Sequence, residues 1–163
     1  ALGGYAYVVD RRFGLRIVDA GDPFQARHVG DAALPHARLE AVAVADVGGP
    51  GVAGQSQVRR LAYAVGSDRL VILDATDPAT PHEIGSVAVA GAGRDIAVVG
   101  DHAYVAAYDK GLQIVDVSDP SAPRVVGSLA YATAPQEDFV TPIPLHTALQ
   151  GVLEPLEWVI DQL

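Results

Sequence analysis

Leu112-Gln-Ile-Val-Asp-Val-Ser-Asp-Pro120 decides how this chain folds, because it is one of three copies of one phrase. The others are Leu15-Arg-Ile-Val-Asp-Ala-Gly-Asp-Pro23 and Leu70-Val-Ile-Leu-Asp-Ala-Thr-Asp-Pro78. A fixed internal period is the signature of repeated structural units and outranks local propensity in setting architecture. Asp74 and Asp116 stand 42 positions apart, whereas Asp19 and Asp74 stand 55 apart. The earlier interval therefore reads as the same unit carrying about 13 inserted residues.

Working outward from the third copy, Asp95–Val99 is a short apolar run, and Gly100-Asp101 suits a tight hairpin turn. Ala103–Tyr108 follows, then a turn at Asp109-Lys-Gly111, then Leu112–Val117. Asp119-Pro120 breaks the ladder, since proline has no N–H to donate and the aspartate can cap the turn. Arg124–Leu129 closes the unit. Four short strands joined by hairpins make an antiparallel meander. The second copy repeats the plan with Leu39–Asp46, Leu61–Val65, Leu70–Ala75 and His82–Val89, and its extra residues, Val47–Arg60, read as a flexible loop. The first copy has Ala6–Asp10, Leu15–Asp19 and Arg27–Ala33 but no first strand.

Strands with one wet face alternate apolar and polar residues. Val71-Ile72-Leu73, Ile114-Val115 and Ala41–Ala45 are instead nearly continuously apolar, which requires burial on both faces. Stacked β-propeller blades provide it. Ala- and Val-rich first strands suit the crowded axis, while Arg27, His28, Arg124 and Ser128 suit an outer edge. The expected fold class is all-β: about three propeller-type four-stranded antiparallel meanders in an incomplete ring. Residues 1–34 form a partial blade, residues 35–89 a blade with an inserted loop at 47–60, and residues 90–131 a third. Residues 132–144, with three prolines, read as a linker. Leu145, Leu149, Val152, Leu156, Ile160 and Leu163 recur at helical steps, so residues 145–163 are expected to form a short amphipathic helical tail interrupted at Pro155. That tail either covers an exposed blade or supplies a partner-binding helix pair anchored by Trp158.

The phrase Leu-x-Ile-Val-Asp-x-x-Asp-Pro, preceded by Ala6-Tyr7-Val8 or Ala103-Tyr104-Val105, resembles the LVIVD-repeat family over roughly residues 3–131. The resemblance implies bacterial or archaeal β-propellers, often exported or on the cell surface, mostly without an assigned activity. The second copy departs from the pattern at Ala64 and Arg69. Closed propellers have about four to eight blades. Fewer than three full blades imply either a piece of a longer propeller or copies that associate to complete a ring. An open stack is expected to bare apolar faces on both terminal blades.

Composition bounds the function. Half of the 163 residues are apolar and 19% are charged, which excludes a disordered segment. The formal net charge of −9 argues against nucleic acid, and the short apolar runs against membrane insertion. With no cysteine there are no disulfides or thiolate sites. Methionine is absent even at position 1, which suggests a processed chain or a piece of a longer one.

Chemical motifs weaken on inspection. Gly91-Ala-Gly93-Arg-Asp-Ile lacks the third glycine and the helix of a dinucleotide fingerprint. Gly51-Val-Ala-Gly-Gln-Ser lacks the lysine of a P-loop, and Gly54-Gln-Ser-Gln-Val the second glycine of a nucleophile elbow. His28, His36, His82, His102 and His146 are scattered, though His28 and His82 hold near-equivalent outer-strand positions. The aspartate pairs Asp19/Asp22, Asp74/Asp77 and Asp116/Asp119 recur on one rim and are the only candidate calcium ligands. The sequence favours turn capping for them. No catalytic, cofactor or metal residue is assigned. The expected function is a non-catalytic interaction or scaffold module outside the cytoplasm, with a protein partner or a second copy of the chain. The alternative is part of a propeller enzyme whose site lies in blades absent from this chain.

Overall fold

The computed structural model describes residues 3–34, 38–49 and 57–130. The linker at 132–144, the helical tail at 145–163, His36, His146, Trp158 and the Gly51–Ser56 stretch lie outside the described residues. Residues 1–131 form one compact unit.

Among the described residues eleven strands build three antiparallel sheets, each a meander in chain order. The first blade holds β1 (Tyr5–Asp10), β2 (Gly14–Asp19) and β3 (Arg27–Ala32). The middle blade holds β4 (Ala41–Gly49), β5 (Gln57–Val65), β6 (Arg69–Asp74) and β7 (His82–Ala88). The third holds β8 (Gly93–Val99), β9 (His102–Ala107), β10 (Gly111–Asp116) and β11 (Arg124–Leu129). These are blades of propeller type. The innermost strands lie side by side, β1 against β4 and β4 against β8.

Two cores lie between the three sheets. Leu61, Tyr63, Val65, Leu70 and Ile72 of the middle blade interleave with Ala103, Val105, Val115 and Val117 of the third. The alternate residues Ala62, Ala64, Val71 and Leu73 meet Leu15 and Ile17 of the first. The middle blade is thus covered on both faces, which explains why β6 reads apolar at four consecutive positions.

Two local readings are corrected. Val47–Arg60 is not all loop: the β4–β5 ladder continues through Val47↔Arg59 and Gly48↔Val58 to Gly49↔Gln57. Its Gly-, Gln- and Ser-rich composition conceals strand pairing that side-chain preference does not signal but backbone hydrogen bonds supply. Tyr108 ends no strand either. It opens a single 3-10 turn, Tyr108–Lys110, and takes the left-handed φ of 25°.

Each fourth strand carries a bulge beside a glycine. Ile17 pairs with Gly30 and Val18 with His28, so Val29 is skipped. Ile84 and Val126 are skipped in the same way in β7 and β11, beside Gly85 and Gly127. Bulges bend a strand and re-aim its side chains. Because the bulges fall at equivalent places, His82, opposite Asp74, corresponds to Arg27, opposite Asp19, and His28, opposite Val18, lies one place further on.

Candidate functional site

The Asp-Pro turns line one rim of the blades, and each aspartate does local structural work. Asp19, Asp74 and Asp116 accept hydrogen bonds from the amides of Gly21, Thr76 and Ser118 (3.2, 2.9 and 3.0 Å). Asp22, Asp77 and Asp119 accept from the amides of Phe24, Ala79 and Ser121 (2.9, 3.0 and 3.0 Å). Such side-chain caps close a tight turn without a ladder partner. The Ser118 hydroxyl and amide hold the Asp116 carboxyl below its usual range, and those of Ser121 do the same for Asp119. Each pair is distributed over consecutive turns of one blade, and no group of three or more His, Asp or Glu side chains among the described residues is placed to hold a metal ion.

The first aspartate of each pair also faces an arginine. Arg27 bonds Asp19 at 3.0 Å, Arg59 bonds Asp74 at 2.7 Å, and Arg124 approaches Asp116 to 3.6 Å. The Asp74 pair is the most enclosed. Burial pushes its carboxyl up, but the hydroxyl and amide of Thr76 and the Arg59 guanidinium outweigh burial and hold it low.

This rim is where the middle blade departs from its neighbours. Strand exits are clipped back by the same backbone bond in every blade: Ala20 N–H to Gly4 O, Ala75 N–H to Arg60 O and Val117 N–H to Asp101 O, each at 2.8 Å. Arg60 therefore occupies the place of Asp101, and residues 47–59 are the insertion. Arg60 forks onto Asp46 (Nε at 2.7 Å, Nη2 at 2.9 Å), which raises the arginine's pKa and lowers the carboxyl's. Between this hairpin and the third blade lies a cleft of about 170 Å³, bordered by Val47, Gly48, Arg59, Asp101, Ser118 and Pro120. Its lining mixes apolar Val47, Val117 and Pro120 with the hydrogen-bonding side chains of Arg59, Asp101 and Ser118.

The opposite rim carries an open basic hollow of about 370 Å³ beside Arg11, Arg12, Arg38 and Glu40. Arg11 bonds Glu40 at 2.7 Å and holds its carboxyl low, with Arg94 at 3.8 Å. The Gly91–Gly93 motif has a structural use here: the Gly93 amide bonds Gly66 O at 2.9 Å, and a Cβ on Gly93 would strike Val65. The described histidines do not converge. His28 sits 2.7 Å from Asp31, while His82 lies 3.3 Å from the Thr80 carbonyl.

The sequence reading missed the element that joins the blades. A Cβ on Gly30 would meet the carbonyl oxygens of Pro78 and Ala79 (2.5 and 2.7 Å), and one on Gly85 would meet Pro120 O and Pro123 Cδ. Each glycine is thus the seat for the next blade's Asp-Pro turn, the close backbone approach that glycine in a strand permits. A signal existed: Gly30, Gly85 and Gly127 each stand eight positions after the aspartate of an Asp-Pro pair.

The model of the LVIVD repeat family matches residues 1–25, 62–89 and 90–131. The chain belongs to the LVIVD repeat family. Residues 26–61, which include β4 and the whole insertion at 47–59, fall between the matches. No curated protein matches the sequence. No helix among the described residues is long and apolar enough to cross a membrane.

Proposed function

We propose that this LVIVD chain is a non-catalytic interaction or scaffold module, part of an exported or cell-surface protein, that holds a protein partner on its Asp-Pro rim. The observation that supports this reading is the lengthened β4–β5 hairpin. It extends the blade plan where the family pattern lapses, and its base is braced by Arg59–Asp74 and Arg60–Asp46. A braced strand pair beside a cleft of mixed apolar and hydrogen-bonding lining offers backbone edges and side-chain contacts at little ordering cost, which is what a binding surface needs.

The test replaces the stretch from Asp46 to Arg60 with Gly-Asp, the turn of the third blade. The shortened chain should keep its circular dichroism spectrum and lose the partner that the native chain retains on a column. Equal retention by both would reject the hairpin as the binding surface. Export to the medium, the cell surface or the periplasm is tested separately by fractionating cells of the source organism: recovery of the native protein in any of those fractions supports it, and recovery in the cytoplasm alone rejects it.

A further inference from the structure

A row of side chains crosses each blade on the side that meets its successor. It runs Tyr7–Ile17–Gly30 in the first blade and Ala43–Tyr63–Ile72–Gly85 in the middle one. In the third it runs Ala97–Tyr104–Ile114–Gly127. The first two rows are sealed by the blade that follows, so that Tyr63 is 1% exposed and Ile17 and Ile72 are fully buried. The third row has the same residues and no such cover among the described residues: Tyr104 is 37% exposed, with Val99 and Leu129 more so. A Cβ on Gly127 would meet only its own cross-strand partner Ile114 among the described residues, at 3.5 Å or more.

The complement of this vacant seat is also on the chain. Two of the three Asp-Pro turns rest on a glycine of the preceding blade. The turn at Asp22-Pro23-Phe24 seats on no such glycine among the described residues, and Phe24, in the place of Ala79 and Ser121, is 95% exposed. Above it, the first blade's leading face carries Arg16 where the middle blade has Val71 and the third has the buried Gln113. A long polar side chain at that position is therefore compatible with cover by a neighbouring blade, and Arg16 can lie over an aromatic ring, as it already does over Phe13 at 4.4 Å.

We propose that the Gly127 face of the third blade binds the Asp22-Pro23-Phe24 turn of a second copy of this chain, head to tail, repeating the contact that Gly30 and Gly85 make internally. Such an interface is heterologous, and heterologous contacts close into a ring when the rotation permits. Two three-bladed copies would supply six blades, inside the range of about four to eight that closed propellers use. The inference rests on the reading of the chain as an association module but uses a different surface from the hairpin, so the two can fail separately.

The experiment is sedimentation velocity on the 163-residue chain over a wide concentration range. The native chain should pass from monomer to dimer. Gly127→Ala, which adds one methyl at the seat, and Phe24→Asp, which puts a charge in the docking turn, should each abolish the dimer. Thermal melts of both variants in dilute solution should match the native chain, showing that the fold survives. An equimolar mixture of the two variants should restore a one-to-one pair, because each then contributes its intact half. The variant with the shortened hairpin should associate like the native chain. A native chain that stays monomeric at all concentrations overturns the proposal, as does a dimer that survives Gly127→Ala. So does a dimer lost in Gly127→Ala but kept in Phe24→Asp, which would indicate two Gly127 faces packed on each other. Loss of association in the shortened-hairpin variant would overturn the assignment of the surface.

Discussion

The middle and third blades have the same four strands, the same bulge and the same Ala–Tyr–Ile–Gly row, yet only the middle one has both faces buried. What separates them is the neighbour. A residue type in this fold does not carry a fixed stabilising value; the seam it belongs to sets it. Substituting matched positions in the two blades is therefore the most direct way to break or sharpen the comparison.

The largest contrast is expected at isoleucine. Ile72→Ala empties a fully buried site and should cost about 3–4 kcal/mol. Ile114→Ala, on the partly exposed row, should cost about half that or less in dilute solution. Urea melts of the two variants measure the difference, and equal losses would mean that the third blade is covered after all. Next come the glycines. Gly85→Ala drives a methyl into Pro120 O and should cost about 1–3 kcal/mol. Gly127→Ala should stay within about 0.5 kcal/mol, since surface substitutions clear of close contacts do little.

Smaller effects are expected on the rim. Asp74→Asn keeps an oxygen for the Thr76 amide but loses the charge facing Arg59, for a cost of about 1 kcal/mol at neutral pH. The carboxyls of Asp46, Asp74, Asp116 and Asp119 are all depressed in the folded chain. A depressed carboxyl contributes stability that is full above its unfolded pKa and fades as pH falls through the folded value. Melting temperature should therefore hold from neutral pH down to about pH 4 and drop below it. The deficit of Asp74→Asn should shrink over the same interval, because the native carboxyl is then becoming neutral too. A deficit that grows on acidification would contradict the assigned ion pair.

Strand order was readable from the sequence because the breaks between strands, Gly100-Asp101 and the three Asp-Pro pairs, are chemically enforced. The hairpin extension was not, since Val47, Gly48, Arg59 and Val58 pair through their backbones and their side chains give no alternating pattern. The expectation of two bare apolar terminal faces needs one correction. The leading face of the first blade is charged, with Arg16 3.8 Å and His28 2.7 Å from Asp31. Only the skipped Val29 brings His28 and Asp31 to the same side of β3, and no linear pattern reveals a bulge. The glycine seats were visible as letters at a constant offset. Their meaning required knowing which turn they face.

The backbone clip from Ala75 N–H to Arg60 O has a mechanical reading. The middle blade's long hairpin, the Asp74–Pro78 turn and Gly30 of the first blade form one chain of stiff links: hairpin base to turn through the clip and the Arg59 fork, and turn to glycine through direct main-chain contact. A load applied to the hairpin is thus carried through the turn into the seam between the first two blades, and through β4 and β5, which pack on β8, into the seam between the second and third. The hairpin is therefore a lever that acts on both seams of the middle blade at once.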